Sequence, residues 1–329
     1  QCLCILRKNR QLFRKSVVIM LTLNLLLLLF VGAGCRTCNK TLSEDSRLQL
    51  DLSSGKRAPL RTNPKKINRN CICGQINTEV KGNNKIINGM EVKPPYKYPW
   101  MVLLKKSNYF TCGGSLINDR FVLTAKHCVA DRNPDVYEVV MGIHNIQDLR
   151  QPIVANLTNY PFAQKSFVSQ IKFIKFNTKE SSGDPFGDIA LLKLDSEVTF
   201  TKQVRPICLP KHEDVYSNPP RDSIVMGWGT TENGSSSNVL RETVVQAYNV
   251  EDCRRQSLYG DLLQEDELCA SAPGKDSCKG DSGGPLVIEG ATSYAQLGIV
   301  SWGRVCAQDK FPGVYTAVPV FVNQIYTMT

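Results

Sequence analysis

Acidic residues are scarce in the first 85 positions, four against 16 Lys and Arg, whereas residues 86–329 hold 26 against 24. The net charge of +10 therefore belongs to a tail and not to a folded basic face, which argues against nucleic-acid binding. Internal repeats are absent, so solenoids and propellers are excluded. An unbroken apolar run of the ~20 residues needed to span a membrane is also missing. The longest apolar stretch, residues 17–34, is interrupted by Thr22 and Asn24. Paired CxxC…CxxC spacing is lacking too, so the 13 cysteines do not read as zinc sites. Their long, irregular spacing fits a disulfide framework formed in an oxidising compartment.

What is present divides the chain into three. Basic residues from Arg7 to Lys15 precede the apolar stretch, and Val31-Gly32-Ala33 offers small residues where a signal peptidase would cut. Residues 1–34 thus read as a secretory signal, with a single-pass type II membrane anchor as the alternative. Both readings place the remainder outside the cytosol. Residues 35–85 are polar, rich in Lys, Arg, Asn and Ser, without lasting periodicity; they read as a flexible stem or pro-segment. From residue 86 to 329 the texture changes to short Val-, Ile- and aromatic-rich runs split by Gly, Pro, Asn and Asp. Runs at 100–104, 121–124, 136–141, 189–194, 224–227, 285–288 and 296–301 predict an all-β sandwich or barrel. Val318, Phe321, Val322, Ile325 and Tyr326 fall at helical spacing and predict a terminal helix. Three Asn-x-Ser/Thr triplets, at Asn39, Asn156 and Asn233, are candidate glycosylation sites.

Three stretches carry candidate chemistry: Leu123-Thr124-Ala125-Lys126-His127-Cys128, Gly187-Asp188-Ile189-Ala190-Leu191-Leu192, and Asp276-Ser277-Cys278-Lys279-Gly280-Asp281-Ser282-Gly283-Gly284-Pro285. Singly, a His beside a Cys, an Asp before an apolar strand and a Gly-rich turn each have ordinary structural explanations. Together and in this order, from residue 86 to the end, they resemble the chymotrypsin-fold serine proteases of the trypsin-like branch. The resemblance implies two six-stranded antiparallel β-barrels with a C-terminal helix and a site in the cleft between them. It implies Ser282 as nucleophile, His127 as general base and then acid, and Asp188 as the carboxylate that orients the imidazole. A hydroxyl needs such a base to attack, and an imidazole titrating near ~6.5 takes and returns a proton at neutral pH. The backbone N–H groups of Gly280 and Ser282 would form the oxyanion hole.

Further positions follow from the same likeness. Asp276 would lie at the base of the specificity pocket and pair with Arg or Lys of a substrate. Gly303 and Gly313 would form its walls, and Ser301-Trp302-Gly303 would bind substrate backbone as an added strand. Lys85-Ile86-Ile87-Asn88-Gly89 resembles the family's activation site. Cutting after Lys85 would free the Ile86 amine to pair with Asp281, a buried ion pair whose rupture costs about 3–5 kcal/mol. The implied bridges are Cys112–Cys128, Cys253–Cys269, Cys278–Cys306, and Cys208 to Cys73 or otherwise Cys71. Cys2, Cys4, Cys35 and Cys38 are unassigned. Departures are Lys126 beside the candidate base, Val305 and Lys279 near the pocket rim, and Asn88 after the new terminus. Ile143 in Gly142-Ile143-His144-Asn145 replaces the carboxylate of calcium-binding members, so no calcium is expected there; no other metal and no cofactor are expected either. Expected partners are protein substrates, an activating protease and protein inhibitors. The rival reading is a catalytically silent homologue serving as a binding or regulatory module; retention of all three candidate residues speaks against it.

Overall fold

A computed structural model describes residues 72–77, 89–150, 157–176, 186–211, 220–231, 234–273, 280–304 and 310–329. After a two-residue strand β1 (Met90–Glu91), the chain forms β2 (Met101–Lys106), β3 (Tyr109–Leu116), β4 (Phe121–Thr124), β5 (Tyr137–Met141), β6 (Gln164–Lys175) and β7 (Phe186–Leu194). These six close into an antiparallel barrel in the order β2-β3-β4-β7-β6-β5. The second half forms β8 (Arg221–Gly227), β9 (Arg241–Asn249), helix α1 (Val250–Gln256), β10 (Glu267–Ser271), β11 (Pro285–Glu289), β12 (Tyr294–Trp302), β13 (Gly313–Ala317) and helix α2 (Val318–Met328). Here β9-β10-β13-β12-β11-β8 is closed by pairing of β8 with β9, and β1 adds to the β9 edge. The two six-stranded barrels and the terminal helix expected from the sequence are both present.

The apolar runs became strands because closure gives each one a dry face. All four residues of β4 are buried. Trp100, Phe121 and Tyr137 are sealed in or against the first barrel, and Trp228 and Tyr315 in the second half. Buried Val318, Phe321, Val322 and Ile325 form the inner stripe of α2, as the helical spacing predicts. Burying a side chain such as Phe321 is worth about 1.5–3 kcal/mol. Phe321 stacks edge-on against Phe176 at 5.9 Å, so α2 leans on the first barrel from the end of the second.

Among the described residues three bridges are formed: Cys73–Cys208, Cys112–Cys128 and Cys253–Cys269. The first resolves the alternative in favour of Cys73. Around it, Gly74 donates its N–H to Pro206 O at 2.8 Å and accepts from Tyr294 N at 2.8 Å. A Cβ on Gly74, where φ is +66°, would meet Tyr294 O at 2.1 Å, so only glycine allows this docking. Residues 72–77 are thus fastened to the second barrel. The Cys278–Cys306 pairing, the three candidate glycosylation sites, Cys2, Cys4, Cys35, Cys38, Cys71 and residues 1–71 lie outside the described residues. Among the described residues, no helix is long and apolar enough to cross a membrane.

Candidate active site

His127 follows β4 directly. The strand delivers the chain through Ala125 into a short 3-10 turn, Lys126–Val129, and the Cys112–Cys128 bridge pins that turn to β3. Asp188 lies in β7, the barrel neighbour of β4. Two hydrogen bonds join the pair: His127 Nδ1 to Asp188 Oδ2 at 2.8 Å, and the His127 backbone N–H to Asp188 Oδ1 at 2.9 Å. This two-point grip fixes which ring nitrogen faces the carboxylate and leaves Nε2 on the far side.

The second barrel completes the hold on Asp188. Ser301 Oγ, at the end of β12, donates to Asp188 Oδ2 at 2.5 Å, and Thr316 Oγ1 of β13 donates to the Asp188 carbonyl at 2.9 Å. Burial alone would raise the Asp188 carboxyl. Hydrogen bonds from His127, the charge His127 carries when protonated, and the Ser301 hydroxyl outweigh it and hold the group below its ordinary range. Ser301, expected as part of the substrate-binding edge, uses its side chain to anchor the carboxylate.

Ser282 sits in the turn between Gly280 and β11. Its carbonyl accepts from Gly113 N of β3 at 2.8 Å, so the second barrel lays this turn against the first, beside the β3–β4 pair that leads to His127. Among the described residues no hydrogen bond joins Ser282 Oγ to His127, whose Nε2 lies 3.7 Å from Cys128 Sγ. Such nucleophile–base contacts are commonly long without substrate and tighten when it binds. Cys112, His127 and Cys128 offer ligand-type atoms within 4.8 Å of one another, but the two sulfurs are bonded to each other and provide no thiolate for a metal.

Gly280 has φ +98°, a backbone state other residues rarely adopt, and its Cα side faces Gly229 so closely that a Cβ would lie 3.0 Å from Gly229 Cα. Asp281 turns inward. Its Oδ1 accepts the Gly229 N–H at 2.8 Å, and a Cβ on Gly229 would stand 2.5 Å from the Asp281 carboxyl carbon. Gly303 and Gly313, the expected pocket walls, face each other: a Cβ on Gly303 would lie 4.0 Å from Gly313 Cα. Asp276, Lys279, Val305, Lys85, Ile86 and Asn88 lie outside the described residues.

Several residues the sequence did not single out belong to this neighbourhood. Glu267 accepts the Trp302 indole N–H at 2.7 Å, and Tyr259 stacks edge-on against Trp302 at 4.9 Å. Asp266, 5% exposed, packs against Gly187 next to Asp188. Burial first, then the charges of Glu267 and Asp188, push its carboxyl up to about 7. Burial likewise raises Glu267. The only sequence signal was the acidic run Glu265-Asp266-Glu267, which by composition alone looks like a solvated turn.

Comparison with known proteins agrees with this geometry. The trypsin family profile matches residues 86–325. The chain is 37% identical over 260 residues to "Serine protease grass" of Drosophila melanogaster, covering 74% of this chain and 67% of that protein. It is 38% identical over 283 residues to "Proclotting enzyme" of Tachypleus tridentatus, covering 80% and 70%. It is 36% identical over 252 residues to "Phenoloxidase-activating factor 1" of Holotrichia diomphalia, covering 71% and 67%. Among solved structures, neuropsin, a serine protease expressed in the limbic system of mouse brain, superposes with a TM-score of 0.60 at 30% identity, covering 74% of this chain and 99% of the other.

Proposed function

The chain belongs to the trypsin family of serine endopeptidases, and from that premise we infer that it is a zymogen, cut between Lys85 and Ile86, that cleaves protein substrates after Arg or Lys. The observation that carries this reading is the His127–Asp188 pair, gripped at two points and braced by Ser301 from the opposite barrel. With the imidazole so oriented, Nε2 is the nitrogen that accepts the Ser282 proton as Oγ attacks a scissile carbonyl. The imidazolium then gives that proton to the leaving amine, and water repeats the sequence on the acyl-enzyme. Developing negative charge on the carbonyl oxygen is met by the Gly280 and Ser282 N–H groups; losing one such donor typically lowers kcat by about 10²–10³.

Residues 86–329 form the protease domain in this reading, and residues 35–85 remain attached through Cys73–Cys208 after activation. The inward Asp281 carboxylate, next to Gly229 N, is the acceptor for the Ile86 amine. Asp276 gives the Arg/Lys preference. The disulfides and the triplets at Asn39, Asn156 and Asn233 support an extracellular location, reached through residues 1–34 as signal or, alternatively, anchor. One relative is named for activating phenoloxidase, which supports a protein precursor as substrate; the Lys85–Ile86 site calls for an upstream protease as activator.

The test is labelling by a fluorophosphonate probe before and after cutting at Lys85, followed by a peptide library. Labelling at Ser282 only after the cut, absent in Ser282→Ala, and cleavage after Arg and Lys that Asp276→Ser abolishes, are the expected results. A cut chain that never labels is the silent homologue. Indifference to the residue before the scissile bond removes the role given to Asp276.

A further inference from the structure

Two segments of the fold outside the His127–Asp188 pair are laced together by several hydrogen bonds. Residues 142–150, which follow β5, run alongside residues 228–231 and 234–240, on the connection between β8 and β9. His144 O accepts both the Trp228 indole N–H and the Leu240 N–H, each at 2.9 Å. Ile146 N donates to Asn238 O at 2.7 Å, and Asn145 bridges Val239. At the end of this lacing stands Arg150. One arm of its guanidinium, Nη2, donates to Trp228 O at 3.1 Å and to Ser237 O at 2.6 Å, the two ends of the hairpin loop. Its flat face lies 5.2 Å from the Phe110 ring centre, and its Nε is buried with no partner among the described residues. Burial holds the guanidinium below its usual range. Arg150 as a whole is half-buried, and the carbonyls it bridges hold its guanidinium in place.

What the bridged hairpin supports is the turn of the candidate nucleophile. Ser237 N donates to Gly229 O at 3.0 Å, which closes the base of the loop. Gly229 then meets the turn twice. Its N–H donates to Asp281 Oδ1, and its Cα packs on Gly280, the expected oxyanion donor. From Arg150 to the oxyanion donor there are thus two steps, guanidinium to loop ends and loop to turn, with no gap between them.

We infer that Arg150 is a positioning residue of the enzyme, whose guanidinium locks the 228–237 loop and thereby holds Gly280 and Asp281 in the substrate-ready arrangement. This rests on the protease reading for its kinetic arm only. Without the lock, the turn divides its time between formed and unformed states, and a ligand that needs the formed state binds more weakly by the fraction formed. Saturating substrate restores the formed state, so kcat is largely kept while KM rises.

The experiment uses the chain cut at Lys85, as wild type, Arg150→Met and Arg150→Lys. Benzamidine affinity, KM, kcat, thermal midpoint and hydrogen exchange of a peptide spanning 280–288 are measured together. For Arg150→Met, benzamidine Kd and KM should rise by a common factor of about tenfold with kcat within a factor of three, and amides of the 280–288 peptide should exchange at least ten times faster. Lysine reaches one carbonyl at a time and should fall between the two. If Arg150→Met does not fold, Arg150→Lys carries the same readouts. A lower thermal midpoint with unchanged Kd, KM and exchange would make Arg150 a strut of the fold only and overturn the inference. A wild-type protein that cleaves nothing sinks the protease reading instead, while the exchange measurement still decides the role of Arg150.

Discussion

Asp266 is the residue whose chemistry is furthest from its sequence type. It lies beside Gly187 with Glu267 and Asp188 as neighbours, and its carboxyl titrates at about 7 against an ordinary 3.8. Between those values the folded state keeps a proton that the unfolded chain has released. Its contribution to stability therefore declines as pH rises from about 4 to about 7, and is constant above. The difference between the two values corresponds to at most about 4 kcal/mol, most of it from burial and the rest from the charges of Glu267 and Asp188. Asp188 has the opposite sign: its lowered carboxyl stabilises the fold above its ordinary range and loses that effect as pH falls. Asp266→Asn should flatten the decline between pH 4 and 7, leaving the variant more stable relative to its parent at pH 8 than at pH 4. Urea unfolding in a Ser282→Ala background, which prevents self-digestion, reads this. Parallel stability curves for the pair would show that Asp266 titrates normally. No pattern in the chain announces this residue. Composition gives charge, and only packing against Gly187 turns the charge into a raised pKa.

Elements differ in how plainly they can be read. The runs at 121–124 and 285–288 are apolar but for Thr124 and became β4 and β11 with nearly the predicted bounds. By contrast β6 alternates exposed Lys165, Phe167 and Ser169 with buried Ser166 and Val168, and its polar residues hide the strand. In β9, Glu242 looks like a solvent residue but is buried, because Lys97 meets it at 2.9 Å and the Tyr98 hydroxyl also bonds to it. Those partners are more than 140 positions away, beyond any window that scans local periodicity. Attachment of residues 72–77 was legible through likeness alone, and the choice between Cys71 and Cys73 needed the geometry at Gly74. That choice is testable. After cutting at Lys85, the two pieces should migrate as one on a non-reducing gel and separate on reduction. Cys73→Ser should release the stem even without reductant, whereas Cys71→Ser should not. Retention of the stem in Cys73→Ser would assign the covalent link to another cysteine.

At the scale of the whole molecule, the site exists only where the barrels meet. His127 and Asp188 come from the first, Ser282 from the second, and the contacts that register them cross the boundary: Ser301 to Asp188, Thr316 to the Asp188 carbonyl, and Gly113 to the Ser282 carbonyl. The three motifs were legible in the chain, and likeness to a family said that they converge. The crossing bonds were not legible, since Ser301 and Thr316 are ordinary strand residues until the second barrel is docked. Ser301 is the sharpest case, because its hydroxyl acts on the first barrel from the second. Removing it deletes a hydrogen bond to an ionised carboxylate, typically worth about 1.5–3 kcal/mol. Ser301→Ala should lower kcat by about tenfold with little change in KM, since the imidazole is mis-set while the pocket walls at Gly303 and Gly313 stay in place. If the effect runs through the carboxylate, it must vanish once the carboxylate is gone. In an Asp188→Asn background, itself expected to drop kcat by about 10⁴ as in the serine-protease template, Ser301→Ala should therefore cost almost nothing more. An equal tenfold loss in both backgrounds would mean that the hydroxyl serves the substrate edge directly, and that the barrels are registered instead by the Thr316 hydroxyl and the Gly113 N–H on their carbonyl acceptors.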